Sequence, residues 1–102
     1  MSNLSQEDWK AELKKDSSPV ILDVRTEQEW EEGIIPGALK LDIFDAQNFK
    51  GEMEKMDKTK SYFVYCRSGN RSGQACAFLN SIGFEKTYNL MGGMMEWKGE
   101  TE

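Results

Sequence analysis

The chain contains no histidine. Ser/His/Asp and Cys/His relays, histidine-ligated zinc and imidazole acid–base work are excluded at once. Cysteine is scarce too: Cys66 and Cys76 are too few for a disulfide-stapled scaffold or an all-cysteine metal site, and a reducing compartment would keep both as thiols. The only prolines, Pro19 and Pro36, sit where connections are expected. No apolar run approaches the roughly 20 residues that span a bilayer, the longest being stretches such as Val20 to Leu22 and Tyr62 to Cys66. No cluster of Lys and Arg offsets a net charge of −5, so neither nucleic acid nor membrane is an expected partner. The opening MSNLSQEDWK lacks the basic and apolar segments of a secretory signal, which makes the cytoplasm the expected location. Chemistry narrows to thiol or carboxylate, and neither metal nor cofactor is expected.

The 102 residues are near the common size of one compact unit, so a single domain over 1–102 is expected. Ser5 with Asp8 resembles a capping box ahead of a short amphipathic helix carrying Trp9 and Leu13 and ending before Ser17. Val20 to Val24 is a nearly unbroken apolar run, the pattern of a strand buried on both faces. Thr26 can cap a helix over Glu27 to Glu32, closed by Gly33. Ala38 to Leu41 reads as a second strand, and Asp45 to Lys55 as a helix weakened by Gly51. Tyr62 to Tyr65 is the clearest strand; a tight loop from Cys66 to Arg71 follows, then a helix from Ser72 to Ile82 stopped by Gly83. Thr87 to Leu90 reads as a last strand, and Gly92 and Gly93 precede a short helix with Met94, Met95 and Trp97. Strands alternating with helices predict an α/β domain, its mainly parallel central sheet flanked by helices on both faces.

Ligands of open parallel sheets bind at the carboxyl ends of strands, and Cys66 falls at such an end, facing a helix N-terminus. Ser68, Gly69 and Asn70 allow the tight turn that aims successive backbone N–H groups inward at an anion. Moving a thiol pKa from about 8.5 to about 6.5 takes roughly 2.7 kcal/mol. One charged hydrogen bond supplies roughly 1.5–3 kcal/mol and a helix N-terminus roughly 0.3–1, so loop amides suffice without histidine. Of the three arginines, Arg67 and Arg71 lie within five positions of Cys66, and guanidinium forks suit oxyanions. A thiolate, a ring of amides and two arginines describe a site that takes an anionic substrate through sulfur.

Cys66 to Arg71 resembles the six-residue active loop, beginning with cysteine, of the rhodanese-like sulfurtransferases. The likeness extends over nearly the whole chain, through Leu22 to Arg25, Glu29 and Trp30, Gly33 to Ala38, and finally Gly92, Gly93 and Trp97. One departure is Ile34, which stands where the family usually has histidine before the Ile-Pro-Gly-Ala stretch; that histidine is inferred to be structural. The resemblance implies a thiosulfate sulfurtransferase in which Cys66 forms a persulfide from a small anionic donor and passes the sulfur to cyanide or a thiol. A protein donor or acceptor fits the same scheme. Arg67 is expected to receive the donor's sulfonate end, with Ser68, Gly69, Asn70 and Arg71 completing the loop and Asp23, Arg25 and Ser72 supporting it.

Two other functions compete. A cysteine-based phosphatase needs five residues between cysteine and arginine, whereas Cys66 and Arg71 enclose four, so the cradle is too small. A noncatalytic sulfur carrier or partner-binding module would carry the same residues. At single positions the plainer readings are packing for Cys76, bracing of loops for Asp23 and Arg25, and a solvated face for Glu27, Glu29, Glu31 and Glu32. Met91, Met94, Met95 and Trp97 are expected in the core rather than at the cleft mouth. For Arg71, an ion pair and a substrate contact are equally expected.

Overall fold

The computed structural model describes residues 1–102. The two most apolar segments become neighbouring strands: β2 (Val20–Asp23) pairs in parallel with β4 (Ser61–Tyr65), from Val20 opposite Tyr62 to Asp23 opposite Tyr65. With β1 (Ser2–Leu4), β3 (Leu39–Lys40) and β5 (Lys86–Leu90) they form one five-stranded parallel sheet in the order β1-β5-β4-β2-β3. Every residue of β4 is buried, as a central strand covered on both faces requires.

Alternation along β4 splits the core in two. Tyr62, Val64 and Cys66 join Leu22, Val24 and the side chains of α3 (Ala46–Glu54) and α4 (Asn70–Ser81), notably Phe49, Met53, Ala75, Cys76 and Leu79. Phe63 and Tyr65 face the other way, onto Trp9 of α1 (Gln6–Lys15), Ile35 and Leu90, with Met94 of α5 (Gly93–Glu96) and Trp97 packed alongside. Trp9 is fully buried, meets Phe63, Tyr65 and Trp97 edge to face at 5.7, 6.4 and 5.7 Å, and donates Nε1–H to the Tyr88 carbonyl. Truncating such an anchor costs about 3–5 kcal/mol. The sheet is thus held from both sides, and β4, which leads into Cys66, is buried along its whole length.

Several boundaries differ from those the sequence predicts. β1 is a three-residue edge strand beside β5, too short and polar to show a period. The strand expected over Ala38 to Leu41 contracts to Leu39–Lys40. The helix expected over Glu27 to Glu32 stops at Trp30 and forms α2 (Glu27–Trp30). Its start carries the reciprocal capping box: Thr26 Oγ1 accepts from the Glu29 N–H and Glu29 Oε1 accepts from the Thr26 N–H. At Ser5 only one half forms, the hydroxyl accepting from the Asp8 N–H. Helix α4 begins at Asn70, two residues earlier than predicted, which moves Arg71 out of the loop and into the first helical turn.

Candidate active site

Cys66 follows the last residue of β4, and the chain turns at once into α4. Gly69 makes that turn: its φ of +99° lies in the left-handed region, and it occupies the N-cap of α4. The Gly69 N–H is thereby aimed back at Cys66 Sγ, 3.1 Å away, and the Ser72 hydroxyl lies 3.3 Å from the same atom. Burial pushes the Cys66 thiol up, but hydrogen bonds from the Ser72 side chain and from the backbone of Ser72, Gly69 and Ser68 outweigh it and hold the pKa below its ordinary value. The N-terminus of a twelve-residue helix adds favourable potential at the same place. The sulfur sits at the floor of this ring with no exposed surface.

Gly93 closes the ring from behind. At φ +55° it lets α5 press onto the loop, so that the Met94 N–H donates to the Cys66 carbonyl (2.9 Å) and the Met95 N–H to that of Arg67 (3.0 Å). A β-carbon here would meet the backbone of Cys66 and Arg67 at 2.5 Å. The loop is therefore gripped between α4 and α5.

The two loop arginines separate in role. Arg71 makes a two-pronged ion pair with Glu29, Nη1 to Oε1 at 2.7 Å and Nη2 to Oε2 at 2.8 Å, and its guanidinium lies 5.5 Å from the Phe44 ring. The Arg71 bonds, aided by those from Thr26 and opposed by burial, hold the Glu29 carboxyl down at about 2. A cation in the first turn of a helix opposes the dipole, and Glu29 supplies the compensation. Glu29 is thus a structural partner of the loop rather than part of a solvated face. Its position three residues after Thr26 is the signal that could have singled it out. Arg67, by contrast, is exposed and makes no salt bridge. It borders a cavity of about 410 Å³ with Arg25, Glu29, Glu32, Met94 and Met95. Met91 and Met95 are largely exposed, so part of the methionine group expected in the core lies at the surface instead.

Asp23 and Arg25 form a buried pair, with Arg25 Nε and Nη2 both on the carboxylate and Nη2 also donating to the Gly33 carbonyl at 2.7 Å. Together with the Tyr65 hydroxyl, which accepts from the Ile35 N–H, they tie the segment before β3 to the sheet. Asn70 stays on the surface, where its Oδ1 faces Gln74 Nε2 at 3.5 Å, and does not approach the sulfur with its side chain. Cys76 is buried in the core on α4, where burial pushes its thiol to about 11. Asn89 escaped the sequence reading although it stands behind the loop: it is 4% exposed, Ser72 Oγ donates to its Oδ1, and its Nδ2 donates to the Gly69 carbonyl. A polar residue in a strand that is otherwise turning apolar is the available signal.

The family described as Rhodanese-like domain matches residues 5–100. The chain belongs to the rhodanese-like family. Among rhodanese-like relatives it is 42% identical over 93 residues to the Bacillus subtilis (strain 168) protein named "Putative sulfurtransferase YtwF", covering 91% of this chain and 86% of that one. It is 39% identical over 87 residues to the thiosulfate sulfurtransferase GlpE of Coxiella burnetii (strain RSA 331 / Henzerling II), covering 85% and 78%. The crystal structure of a rhodanese-like domain protein from Staphylococcus aureus superposes with a TM-score of 0.84 at 27% identity, over 100% of this chain and 97% of that one. The fold is therefore a single rhodanese-like α/β domain with a parallel five-stranded sheet.

Proposed function

We propose that this rhodanese-like protein is a sulfurtransferase in which Cys66 carries the sulfur between a small anionic donor such as thiosulfate and a thiophilic acceptor, cyanide or a thiol. The observation that carries the reading is the convergence of the Gly69 N–H and the Ser72 hydroxyl on Cys66 Sγ, at a helix N-terminus. These groups stabilise an anionic sulfur, and the amides cannot act as acids.

The thiolate attacks the outer sulfur of thiosulfate, the S–S bond breaks, and sulfite leaves with the electron pair. Cys66 is left as a persulfide anion. An acceptor thiolate or cyanide then attacks the terminal sulfur, giving a new persulfide or thiocyanate and restoring the Cys66 thiolate. Arg67, exposed and unpaired beside the cavity, receives the donor's sulfonate. Because Cys66 is fully covered at rest, loading requires the loop to yield, and the same cover then shelters the persulfide between steps.

A phosphatase is disfavoured by Arg71, whose guanidinium is committed to Glu29 instead of turning into the loop. Sulfite release from thiosulfate in the presence of excess cyanide tests the reading. Sustained turnover in the native protein and none in Cys66→Ser is expected. Loading that stops after one sulfur per chain, and occurs only from a protein donor, would replace the enzyme with a carrier.

A further inference from the structure

Asn89 lies on β5 between Asn3 of β1 and Val64 of β4. Its amide orientation is fixed: Nδ2 donates to the Gly69 carbonyl at 3.0 Å and to Asn3 Oδ1 at 2.9 Å, and a backbone carbonyl only accepts. Oδ1 is thereby presented to Ser72 as an acceptor. Ser72 has one hydroxyl proton, and its Oγ also stands 3.3 Å from Cys66 Sγ. With Cys66 as a thiol, every group is satisfied: S–H donates to Ser72 Oγ and Ser72 O–H to Asn89 Oδ1. With an anionic sulfur the hydroxyl must choose. Turning to the sulfur strands the buried Asn89 carbonyl, which is costly; staying with Asn89 presents lone pairs to the anion.

We infer that Asn89 is a positioning residue that competes with Cys66 for the Ser72 hydroxyl proton and so holds the resting sulfur nearer its thiol form than the loop amides and an uncommitted hydroxyl would. Persulfide formation moves the charge to the outer sulfur, away from Ser72, and the hydroxyl returns to Asn89. The competition therefore favours the loaded protein over the bare thiolate. The inference rests on Cys66 being the sulfur-accepting atom, but its test reads protonation and not sulfur transfer, so either can fail alone.

The test is the pH dependence of Cys66 alkylation by iodoacetamide in the full chain, with the labelled peptide identified by mass spectrometry so that Cys76 is counted separately. Asn89→Ala is expected to lower the midpoint by about one unit, a tenfold rise in thiolate fraction well below it. Asn89→Asp, which keeps an acceptor and adds charge, is expected to raise it. Both variants lose the bonds to Gly69 and Asn3, so a merely loosened loop would shift both the same way. In a Ser72→Ala background the Asn89→Ala shift is expected to vanish. Ser72→Ala alone is expected to raise the midpoint, because the sulfur loses the share of the hydroxyl proton that Asn89 leaves it. The charged and titratable groups around the sulfur are unchanged in all variants: Arg67 and Arg71, Glu29 and Asp42 beside Arg71, the Asp23–Arg25 pair, Cys76 on α4 and Glu96 of α5 over Gly92. An unchanged or raised midpoint in Asn89→Ala, a shift that persists without the Ser72 hydroxyl, or a lowered midpoint in Ser72→Ala alone would overturn the inference.

Discussion

Replacing Gly93 by alanine probes how the loop is gripped, because the structure assigns a cost to each contact the new methyl group breaks. At φ +55° an L-residue carries about 1–2 kcal/mol of steric strain. The β-carbon would stand 2.5 Å from the Arg67 carbonyl carbon and oxygen and from the Cys66 oxygen, all backbone atoms that cannot swing aside like a side chain. Helix α5 must therefore lift, breaking the Met94 and Met95 bonds to the loop at about 0.5–1.5 kcal/mol each. The sum is about 2–5 kcal/mol. For a chain of this length the unfolding entropy is about 0.2 kcal/mol/K, so the midpoint of thermal unfolding should fall by about 10–25 °C. Gly51 provides the opposite case: it lies inside α3 with nothing near its would-be β-carbon, so Gly51→Ala should raise the midpoint by about 2–5 °C. Circular dichroism melts of the three proteins decide the matter. A Gly93→Ala midpoint within about 3 °C of native, or a Gly51→Ala loss as large as that at Gly93, would show that the close approach of α5 is not what fixes the loop.

Three further outcomes are expected. Arg67→Ala should raise the Michaelis constant for thiosulfate more than it slows attack by the acceptor, and an unchanged donor dependence in steady-state kinetics would remove Arg67 from the donor site. Glu29→Gln keeps the cap but loses the charge partner of Arg71, and for a partly covered pair should cost about 1–2 kcal/mol, or about 5–10 °C, at pH 7. Because folding lowers the Glu29 carboxyl from 4.5 to about 2, the native protein has this stabilisation in full above pH 4.5 and loses it as pH falls toward 2. The gap between native and Glu29→Gln melts should therefore narrow over that range; a gap independent of pH would mean the ion pair is not its source.

Much of the fold is legible in the chain because periodicity and punctuation agree. The apolar run before Asp23, the aromatic run before Cys66 and the helices closed by glycine all appear where they are expected, within a few residues. β1 is invisible because three edge residues, two of them polar, are too few to show a period. The start of α4 at Asn70 is hidden by Gly69, which reads as a loop residue and acts as a left-handed cap. Within the site, the candidate sulfur and its amides follow from one local segment, whereas Glu29 and Asn89 reach it from 42 and 17 residues away in sequence, to Arg71 and Ser72 respectively. Such long-range partners depend on strand order, which no local pattern encodes. The burial of Cys66 is likewise tertiary, the product of its packing with residues of β2, α3 and α4.

In the proposed reaction a cysteine thiolate, held by backbone amides and a serine hydroxyl without any histidine, accepts a sulfur atom. Intact-protein mass spectrometry after incubation with thiosulfate addresses it directly. A gain of one sulfur per chain, located at Cys66, reversed by a thiol reductant and absent in Cys66→Ser, is the predicted result. A mass that stays constant in the native protein, or a gain that survives in Cys66→Ser, would contradict it.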